Sequence, residues 1–228
     1  MTDLPAIRFR TIGFDLDGTL IDTVPDIANA LNHALLLAGR PQLELHKVRA
    51  LVGGGAKRLL AQALAEGTEE RVDAAVLDPL YAALLDHYSM NICVASRIYP
   101  GVGPALDALA RQGIMLGVAT NKLEHLARKL LDSIGLADRF ACVIGGDTLG
   151  PDRAKPKPDM LHQLVRSCGA GEPAAFVGDS IYDTRAARAA GQTAIAVSFG
   201  YRDRPAEELG ADRVIDSYAQ LLPALRVL

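Results

Sequence analysis

Acidic, hydroxyl and basic side chains occur in short polar segments, most of which directly follow an apolar run. These segments are Asp15–Leu20, Thr120-Asn121, Lys155–Pro158 and Gly178–Asp183. Two carboxylates about 4 Å apart repel each other by roughly 4 kcal/mol at an effective dielectric of about 20. A bound cation is the simplest way to stabilise such a group, so the segments predict a cation site if the fold brings them together.

The side-chain ligands that these segments offer a cation are oxygens, without a histidine or cysteine. Hard oxygen donors favour Mg²⁺ over zinc. A magnesium ion, a lysine and a hydroxyl around one carboxylate form a site for a transferring phosphoryl group, because the cations neutralise its oxygens while the carboxylate attacks in line. These residue types therefore favour phosphoryl transfer.

Each segment taken alone also has a purely structural interpretation. The pair Asp15 and Asp17 at a strand end is commonly a solvated turn. Thr120 and Asp179 are residue types that cap helices, and Lys155 can be a surface charge before a proline-bounded turn. Their order, at the ends of successive predicted strands, favours the catalytic interpretation.

Short apolar runs rich in β-branched or small residues predict the strands that position these segments. The predicted strands are Arg10–Asp15, Ile114–Thr120, Cys142–Gly145, Ala174–Asp179, Thr193–Phe199 and, with a weaker pattern, Arg213–Asp216. The helical patterns between them are Pro104–Gln112, Leu123–Gly135, Asp159–Cys168 and Asp183–Ala190. This alternation predicts an α/β fold with a doubly wound, mostly parallel, Rossmann-like sheet, whose ligands bind beyond the carboxyl ends of the strands.

The alternation is interrupted between residues 23 and 95. Apolar residues recur there at helical spacing in three runs, within residues 27–38, 59–64 and 77–88. A structureless loop of this length is implausible in a compact protein. The pattern predicts an all-helical cap domain (residues 23–95) inserted into a core domain (residues 1–22 and 96–228), with hinges near Asp22–Pro25 and Ala95–Gly101.

The composition excludes several functional classes. The chain has 228 residues and a net charge of −3, which argues against a general nucleic-acid or membrane-surface binder. Its apolar runs are too short for a membrane span and no secretory signal is evident, so a cytoplasmic location is expected. The three cysteines lie far apart and predict neither a disulfide framework nor a zinc ribbon.

The polar segments resemble the motifs of the haloacid dehalogenase superfamily, in order and over essentially the whole chain. They match D-x-D-G-T-L at Asp15–Leu20, the strand-end Thr120, K-P-x-P at Lys155–Pro158 and G-D-S-x-x-D at Gly178–Asp183. The resemblance implies a Rossmann-like core with an inserted helical cap and an enzyme that transfers phosphoryl groups.

The resemblance also implies a role for each matching residue. Asp15 would be the nucleophile that forms an aspartyl-phosphate intermediate. Asp17 would be the general acid that protonates the leaving oxygen and then the base that activates water. Thr120 would hydrogen-bond the phosphoryl oxygens, and Lys155 would neutralise both the phosphate and Asp15.

A Mg²⁺ cofactor is implied in the same way. Asp15, the backbone carbonyl of Asp17, and Asp179 would hold the ion. Asp183 would support the site through a bound water or through Lys155 rather than as a direct ligand.

The segment Gly53–Arg58 in the predicted cap has two interpretations. It lacks the spacing of a phosphate-binding loop and the strand that should precede one, so it can be a flexible turn with two solvated charges. Alternatively, it closes over the active site, and Gly54, Lys57 and Arg58 contact the substrate together with Asn121 of the core.

Within the superfamily the residues favour a phosphatase. Dehalogenases lack the second aspartate of the first motif, which is Asp17 in this chain. No lysine lies between Asp22 and His46, where a phosphonate hydrolase would be expected to carry its Schiff-base lysine. The segment Gly53–Ala56 also lacks the G-x-x-R pattern that is typical of β-phosphoglucomutases.

The segments FDLDGTLIDTVPDI, GVATNK and VGDSIYDT are similar to those of bacterial phosphoglycolate phosphatases. This similarity implies hydrolysis of 2-phosphoglycolate to glycolate and phosphate. The alternatives are a phosphatase for a sugar phosphate, N-acetylmuramate 6-phosphate or pyrophosphate, a phosphomutase, and a non-catalytic module that accepts a phosphoryl group. The expected partner is a small-molecule phosphate ester, bound by a monomer or homodimer.

Overall fold

The structure is a computed structural model that describes residues 6–65, 72–201 and 204–228. The predicted core and cap domains also include residues 1–5, 66–71 and 202–203, which lie outside the described residues.

The described residues form eight β-strands. In chain order they are β1 (Thr11–Phe14), β2 (Ile21–Asp22), β3 (Arg97–Ile98), β4 (Met115–Ala119), β5 (Cys142–Ile144), β6 (Ala174–Gly178), β7 (Thr193–Val197) and β8 (Arg213–Ile215). Six of them form a parallel sheet in the order β5-β4-β1-β6-β7-β8. Each predicted strand is therefore present, shortened by one or two residues.

The same residues form nine α-helices. They are α1 (Val24–Leu37), α2 (Leu45–Leu51), α3 (Ala56–Leu64), α4 (Ala74–Met90), α5 (Val102–Ala110), α6 (Glu124–Ser133), α7 (Asp159–Cys168), α8 (Ile181–Ala189) and α9 (Leu221–Val227). None of these helices is both long and apolar enough to cross a membrane.

Side chains alternate along each strand, so each face of the sheet packs against its own helices. On one face, Ile12 and Phe14 of β1 belong to a core that includes α5, α6 and α9. On the other face, Phe176 of β6 belongs to a second core with α7 and α8. Helices on both faces of a parallel sheet confirm the predicted doubly wound α/β fold.

Helices α1–α4 occupy the chain between β2 and β3. Helix α1 packs against α4, and α3 contacts both. These three helices correspond to the three predicted apolar runs. Helix α2 was not predicted, because Val48 is its one buried residue and such a helix shows no apolar periodicity.

The two connections between the sheet and the inserted helices run side by side. Strand β2 pairs with β3 in antiparallel orientation, with Ile21 opposite Ile98 and Asp22 opposite Arg97. This two-stranded ribbon was not predicted, since a strand of two residues has no readable period. It brings the two predicted hinge regions together.

A buried carboxylate fastens the ribbon to the first inserted helix. Asp26 lies in the first turn of α1 and is 3% exposed. It accepts hydrogen bonds from the amides of Ala95 and Ser96 and from the Ser96 hydroxyl, at 2.6–2.9 Å. The entry and exit of the insertion are thus joined by side-chain as well as backbone hydrogen bonds.

Candidate active site

Three neighbouring strands end at one edge of the sheet with a polar residue directly beyond each. Asp15 follows β1, Thr120 follows β4 and Asp179 follows β6, and β1 lies between the other two. The backbone pairing extends one step past the strands, since Asp15 N donates to Val177 O (2.9 Å) and Thr120 N donates to Ile144 O (3.0 Å). The parallel register therefore brings these residues together.

Lys155 is buried between two carboxylates. Its Nζ lies 2.8 Å from Asp15 Oδ1 and 2.6 Å from Asp183 Oδ1, and its side chain is 1% exposed. Burial alone lowers the pKa of Lys155, but the charges of Asp15 and Asp183 outweigh burial and raise it. The ammonium therefore stays charged in this site.

Asp183 is held by the backbone at the start of α8. Its Oδ2 accepts hydrogen bonds from the amides of Asp179 (3.2 Å) and Ser180 (3.0 Å) and from the Ser180 hydroxyl (2.6 Å). Its Oδ1 accepts one from Lys155 Nζ. Both oxygens already have donors, so this arrangement lets Asp183 position Lys155.

The buried carboxylates provide a possible cation site. One oxygen from each of Asp15, Asp179 and Asp183 lies within 4.8 Å of the others. Asp15 Oδ1 is buried and makes no hydrogen bond of normal geometry within the described chain, although Lys155 Nζ is close to it.

The electrostatics of this group indicate an excess of buried negative charge. Burial and the neighbouring charge of Asp183 raise the pKa of Asp15 to about 6, although Lys155 opposes the shift. Burial and the charges of Asp183 and Asp15 also raise the pKa of Asp179 well above its usual range. An all-oxygen donor set with an unpartnered oxygen fits a hard divalent cation such as Mg²⁺.

Asp179 is fixed by close approach of the backbone. Its Oδ2 accepts a hydrogen bond from Tyr201 N, and its Oδ1 accepts one from the Thr19 hydroxyl at 3.4 Å. Gly18 adopts φ of +82°, and a Cβ at that position would lie 2.3 Å from Asp179 Oδ2. Glycine is therefore required at position 18 for both its conformation and its lack of a side chain.

The carboxylate of Asp17 has a different set of partners. Lys122 Nζ donates to Oδ1 at 2.9 Å and to Oδ2 at 2.8 Å, and the Thr23 hydroxyl donates to Oδ1 at 2.7 Å. The predicted metal contact of Asp17 goes through its backbone carbonyl and is independent of these side-chain contacts.

Lys122 itself is enclosed. Its side chain is 7% exposed, and its Nζ lies 4.6 Å from the centre of the Tyr88 ring on α4. Burial lowers its pKa, but the charge of Asp17 outweighs burial and raises it. A buried, charged ammonium therefore links the first motif of the core to the inserted helices.

A cavity of about 330 Å³ lies between the strand ends and the inserted helices. The core lines it with Asp15, Asp17, Thr120, Asn121, Lys122 and Lys155, and the insertion lines it with Gly53–Leu59, Tyr81, Leu84, Leu85 and Tyr88. The predicted catalytic residues and the predicted cap segment thus share one cavity, with Asp179 and Asp183 beside it.

Asn121 connects the core to the cap segment. Its Nδ2 donates to Gly53 O (2.9 Å) and to Lys155 O (3.1 Å). In this structure the amide of Asn121 therefore holds the segment in place above the strand ends. Of the two interpretations of residues 53–58, these contacts favour the one in which the segment closes over the site.

The other cap residues that were predicted to contact the substrate differ in their partners. Lys57 Nζ lies 2.7 Å from Asp78 Oδ1, and both side chains are more than half exposed. The Arg58 guanidinium lies 5.7 Å from the centre of the Tyr182 ring of α8 and has no carboxylate partner among the described residues. Gly54 lines the cavity without contributing a side chain.

Three residues of the site were missed by the sequence analysis. Lys122 lies two residues after Thr120, in the segment GVATNK, and this position was its one available signal. Tyr88 was read only as an apolar position of a helix. Tyr201 lies in a loop, and its contact with Asp179 spans 22 residues of sequence.

The chain is similar to known proteins over nearly its full length. The family model described as haloacid dehalogenase-like hydrolase matches residues 9–191. A phosphoglycolate phosphatase from Agrobacterium fabrum is 43% identical over 93% of this chain and 90% of its own length. One from Rhodospirillum rubrum is 40% identical over 93% of this chain and 89% of its own length.

Solved structures agree with this similarity. The crystal structure of a predicted phosphoglycolate phosphatase from Haemophilus somnus superposes with a TM-score of 0.86 at 31% identity, covering 95% of this chain and 97% of that one. CbbY from Rhodobacter sphaeroides, in complex with phosphate, superposes with a TM-score of 0.79 at 25% identity, covering 96% of this chain and all of that one. The chain therefore belongs to the haloacid dehalogenase-like hydrolases and is a phosphatase of that family.

Proposed function

We propose that this chain hydrolyses 2-phosphoglycolate to glycolate and phosphate through an aspartyl-phosphate intermediate, with Mg²⁺ as cofactor. The observation that carries this proposal is the buried Asp15 carboxylate at the wall of the cavity, with the Lys155 ammonium 2.8 Å from its Oδ1. A carboxylate in this position is available as a nucleophile, and the lysine beside it neutralises an incoming phosphate.

The first step forms a bond from Asp15 to phosphorus while the bond to the leaving oxygen breaks. Lys155 neutralises charge on the phosphoryl oxygens, and the Thr120 hydroxyl donates a hydrogen bond to one of them. Asp183 keeps Lys155 in place. When bound by Asp15, Asp179 and the backbone carbonyl of Asp17, Mg²⁺ supplies further neutralisation of phosphoryl charge.

Asp17 moves the protons in this proposal. It protonates the leaving oxygen of the substrate and then removes a proton from the water that hydrolyses the intermediate, which restores Asp15. In the structure both oxygens of Asp17 accept hydrogen bonds from Lys122. The acid–base role therefore requires one oxygen of Asp17 to turn from Lys122 towards the leaving oxygen while the other keeps its contact with Lys122.

We propose that residues 23–95 act as a cap domain on a core domain of residues 1–22 and 96–228. Closure excludes bulk water during attack by Asp15, and opening admits the hydrolytic water and releases glycolate. The hydrogen bond from Asn121 to Gly53 O is a contact across this boundary. Because the two connections form one paired ribbon, the inserted helices have a single line of attachment about which to turn.

The substrate is proposed from similarity and charge together. Relatives that are 36–43% identical are named phosphoglycolate phosphatase. The glycolate part of that substrate carries a carboxylate, and Arg58 offers a cavity-lining cation without a carboxylate partner in the described chain. Lys57 is paired with Asp78 and serves as the internal comparison.

A panel of phosphate esters with Mg²⁺, repeated with a chelator, tests the substrate and the cofactor. We expect 2-phosphoglycolate to give the highest kcat/KM, the chelator to abolish turnover, and Asp15→Asn to be inactive. Equal or better turnover of a hexose phosphate, an amino-sugar phosphate or pyrophosphate would overturn the substrate. Undiminished activity of Asp15→Asn would overturn the nucleophile.

Two matched variants test how the carboxylate is recognised. Arg58→Ala should raise KM for 2-phosphoglycolate at least tenfold and leave KM unchanged for an aryl phosphate whose aryl group is uncharged, since one charge-assisted hydrogen bond contributes about 1.5–3 kcal/mol. Lys57→Ala should change either KM by less than about threefold. Equal effects of both variants, or of Arg58→Ala on both substrates, would contradict recognition by Arg58.

A second candidate substrate is a sugar bisphosphate. The variant of CbbY from Rhodobacter sphaeroides that was crystallised with xylulose-(1,5)-bisphosphate is 25% identical, with a TM-score of 0.78. The panel should therefore include a pentulose bisphosphate. If it is turned over faster than 2-phosphoglycolate, this candidate replaces the first.

A further inference from the structure

Two of the cysteines lie close together on the face of the sheet covered by α7. Cys142 is the first residue of β5, and Cys168 is the last residue of α7. Their Sγ atoms are 3.5 Å apart, although the residues are 26 positions apart in the sequence. The spacing of the cysteines in the sequence predicts no disulfide framework and gives no sign of this contact.

The space for the two sulfurs depends on a glycine in the neighbouring strand. Gly117 of β4 is paired in register with Cys142. A Cβ at position 117 would lie 3.0 Å from Cys142 Sγ and 3.0 Å from Cys168 Sγ. Both thiols therefore lie against the backbone of Gly117, which has no side chain. Cys142 begins its strand, so the pair is far from the strand ends that carry Asp15, Thr120 and Asp179.

We propose that Cys142 and Cys168 are a redox modification site that forms a reversible intramolecular disulfide when the protein meets a hydroperoxide. A disulfide requires an S–S distance of about 2.0 Å, so the sulfurs must approach by about 1.5 Å. Cys142 is half-buried at the end of an edge strand, and Cys168 is 6% exposed. A molecule as small as hydrogen peroxide is therefore the fitting oxidant.

The reaction takes two steps that balance. The thiolate of one cysteine attacks an oxygen of the peroxide and the O–O bond breaks, which gives a sulfenic acid and a hydroxide that becomes water with the proton released from the thiol. The thiol of the other cysteine then displaces a second water and closes the S–S bond. The two thiols lose two electrons and the peroxide gains them. Dithiothreitol reverses the modification by thiol–disulfide exchange.

Local interactions identify Cys168 as the attacking sulfur. A hydrogen bond from Cys142 lowers the pKa of Cys168, and the same contact, together with burial, raises the pKa of Cys142. Either sulfur can be the donor in this contact, and Cys142 is the donor when Cys168 is the thiolate. A thiolate on Cys168 with a thiol beside it is the arrangement that closes a disulfide rather than stopping at a sulfenic acid.

The disulfide would tie the end of α7 to the edge of the sheet. Closing a loop of this length is expected to raise Tm by about 5–10 °C. The modification does not depend on the proposed substrate or metal, so its test is independent of phosphatase activity.

The test treats the whole protein with a small excess of hydrogen peroxide, alkylates it under denaturing conditions and analyses a tryptic digest by mass spectrometry. We expect the alkylated cysteines to fall from three to one, at Cys93, and peptides 140–153 and 167–185 to appear joined. Tm should rise and then return to its starting value after dithiothreitol.

Single variants supply the controls. Cys93→Ser should behave as the wild type, whereas Cys142→Ser and Cys168→Ser should form no joined peptide and show no rise in Tm. If the buried Cys168→Ser does not fold, Cys142→Ser alone decides. Three alkylated cysteines after peroxide, a sulfinic acid on one cysteine, or a disulfide between two chains would each overturn the proposal.

Discussion

Lys122 donates to both carboxylate oxygens of Asp17, at 2.8 and 2.9 Å, beneath the ring of Tyr88. The pair is nearly enclosed, with side chains 7% and 12% exposed, so neither charge is solvated well enough to stand alone. The aspartate proposed as the acid and base of the reaction is thus held by a lysine that contacts the inserted helices.

Lys122→Met should therefore impair both stability and turnover. Removing one member of a buried ion pair costs about 3 kcal/mol, which corresponds to a fall in Tm of roughly 6–12 °C. Loss of the contact that orients Asp17 should also lower kcat at least tenfold. Thermal unfolding and steady-state kinetics measure the two effects.

Lys129→Met is the matched control for this variant. Lys129 is an exposed lysine of α6 that bonds only to Ser89 in the described chain. Its replacement should change Tm by less than about 2 °C and leave kcat unaltered. Similar results for both lysines would show that the buried pair has no special role.

The stability of the metal-free protein should fall as pH rises from about 4 to about 6. The pKa of Asp15 is raised from 3.8 to about 6 in the folded protein, chiefly by burial. In this interval the unfolded chain has released the proton while the folded chain still holds it, so ionisation favours unfolding. The expected loss is about 3 kcal/mol, complete above pH 6.

Urea unfolding in the presence of a chelator, at a series of pH values, measures this dependence. Asp15→Asn removes the contribution of Asp15 and should reduce the slope over the same interval, while Asp179, whose pKa is also raised, still contributes. A wild-type protein that is equally stable at pH 4 and pH 7, or a variant with an unchanged slope, would contradict the prediction.

Magnesium should stabilise the folded protein by relieving repulsion among the buried carboxylates. At a concentration of 100 times Kd, a ligand that binds only the folded state adds about 2.7 kcal/mol, or roughly 5–10 °C in Tm. Asp179→Asn should lose most of this magnesium-dependent shift. Differential scanning fluorimetry with and without magnesium provides the measurement.

Asp132→Asn, at an exposed position of α6, is the control and should keep the full magnesium shift. Calcium is a second comparison, because its larger and looser coordination should raise Tm while failing to support turnover. A shift that survives in Asp179→Asn would place the ion elsewhere.

The fold and the meeting of Asp15, Thr120 and Asp179 at one edge of the sheet could be predicted from the sequence because both depend on local patterns. The run that forms β1 ends at Asp15 in the chain itself, and neighbouring parallel strands must end at the same edge. The contacts of Lys122 and Tyr201 could not be predicted in this way, since their partners Asp17 and Asp22 lie 105 and 179 residues away. Such contacts depend on how helices and strands pack against one another, and the spacing of apolar residues along the sequence does not reveal that packing.

Tyr201 connects Asp179, a proposed metal ligand, to the start of the insertion. Its amide donates to Asp179, while its hydroxyl donates to Asp22 and accepts hydrogen bonds from the amides of Thr23 and Val24. Tyr201→Phe removes the hydroxyl from a buried site and leaves these partners without it. We expect a loss of about 1–3 kcal/mol in the free energy of unfolding, measured by urea denaturation.

Tyr99→Phe is a closely matched comparison. The Tyr99 hydroxyl is also buried but makes no hydrogen bond of normal geometry among the described residues. Its removal should be neutral or slightly stabilising. If Tyr99→Phe proved as destabilising as Tyr201→Phe, the loss would reflect the packing of the rings rather than the hydroxyl network.

The pairing of β2 with β3 has a consequence for how the two parts of the chain can change independently. Residues 22 and 97 lie opposite each other, so the chain leaves the core and returns to it at two neighbouring positions. A longer, shorter or differently folded insertion could therefore join the core at the same two positions without moving Asp15, Thr120 and Asp179. In the proposed function, the residues that perform the chemistry and the cap residues that contact the substrate therefore lie in separate segments of the chain.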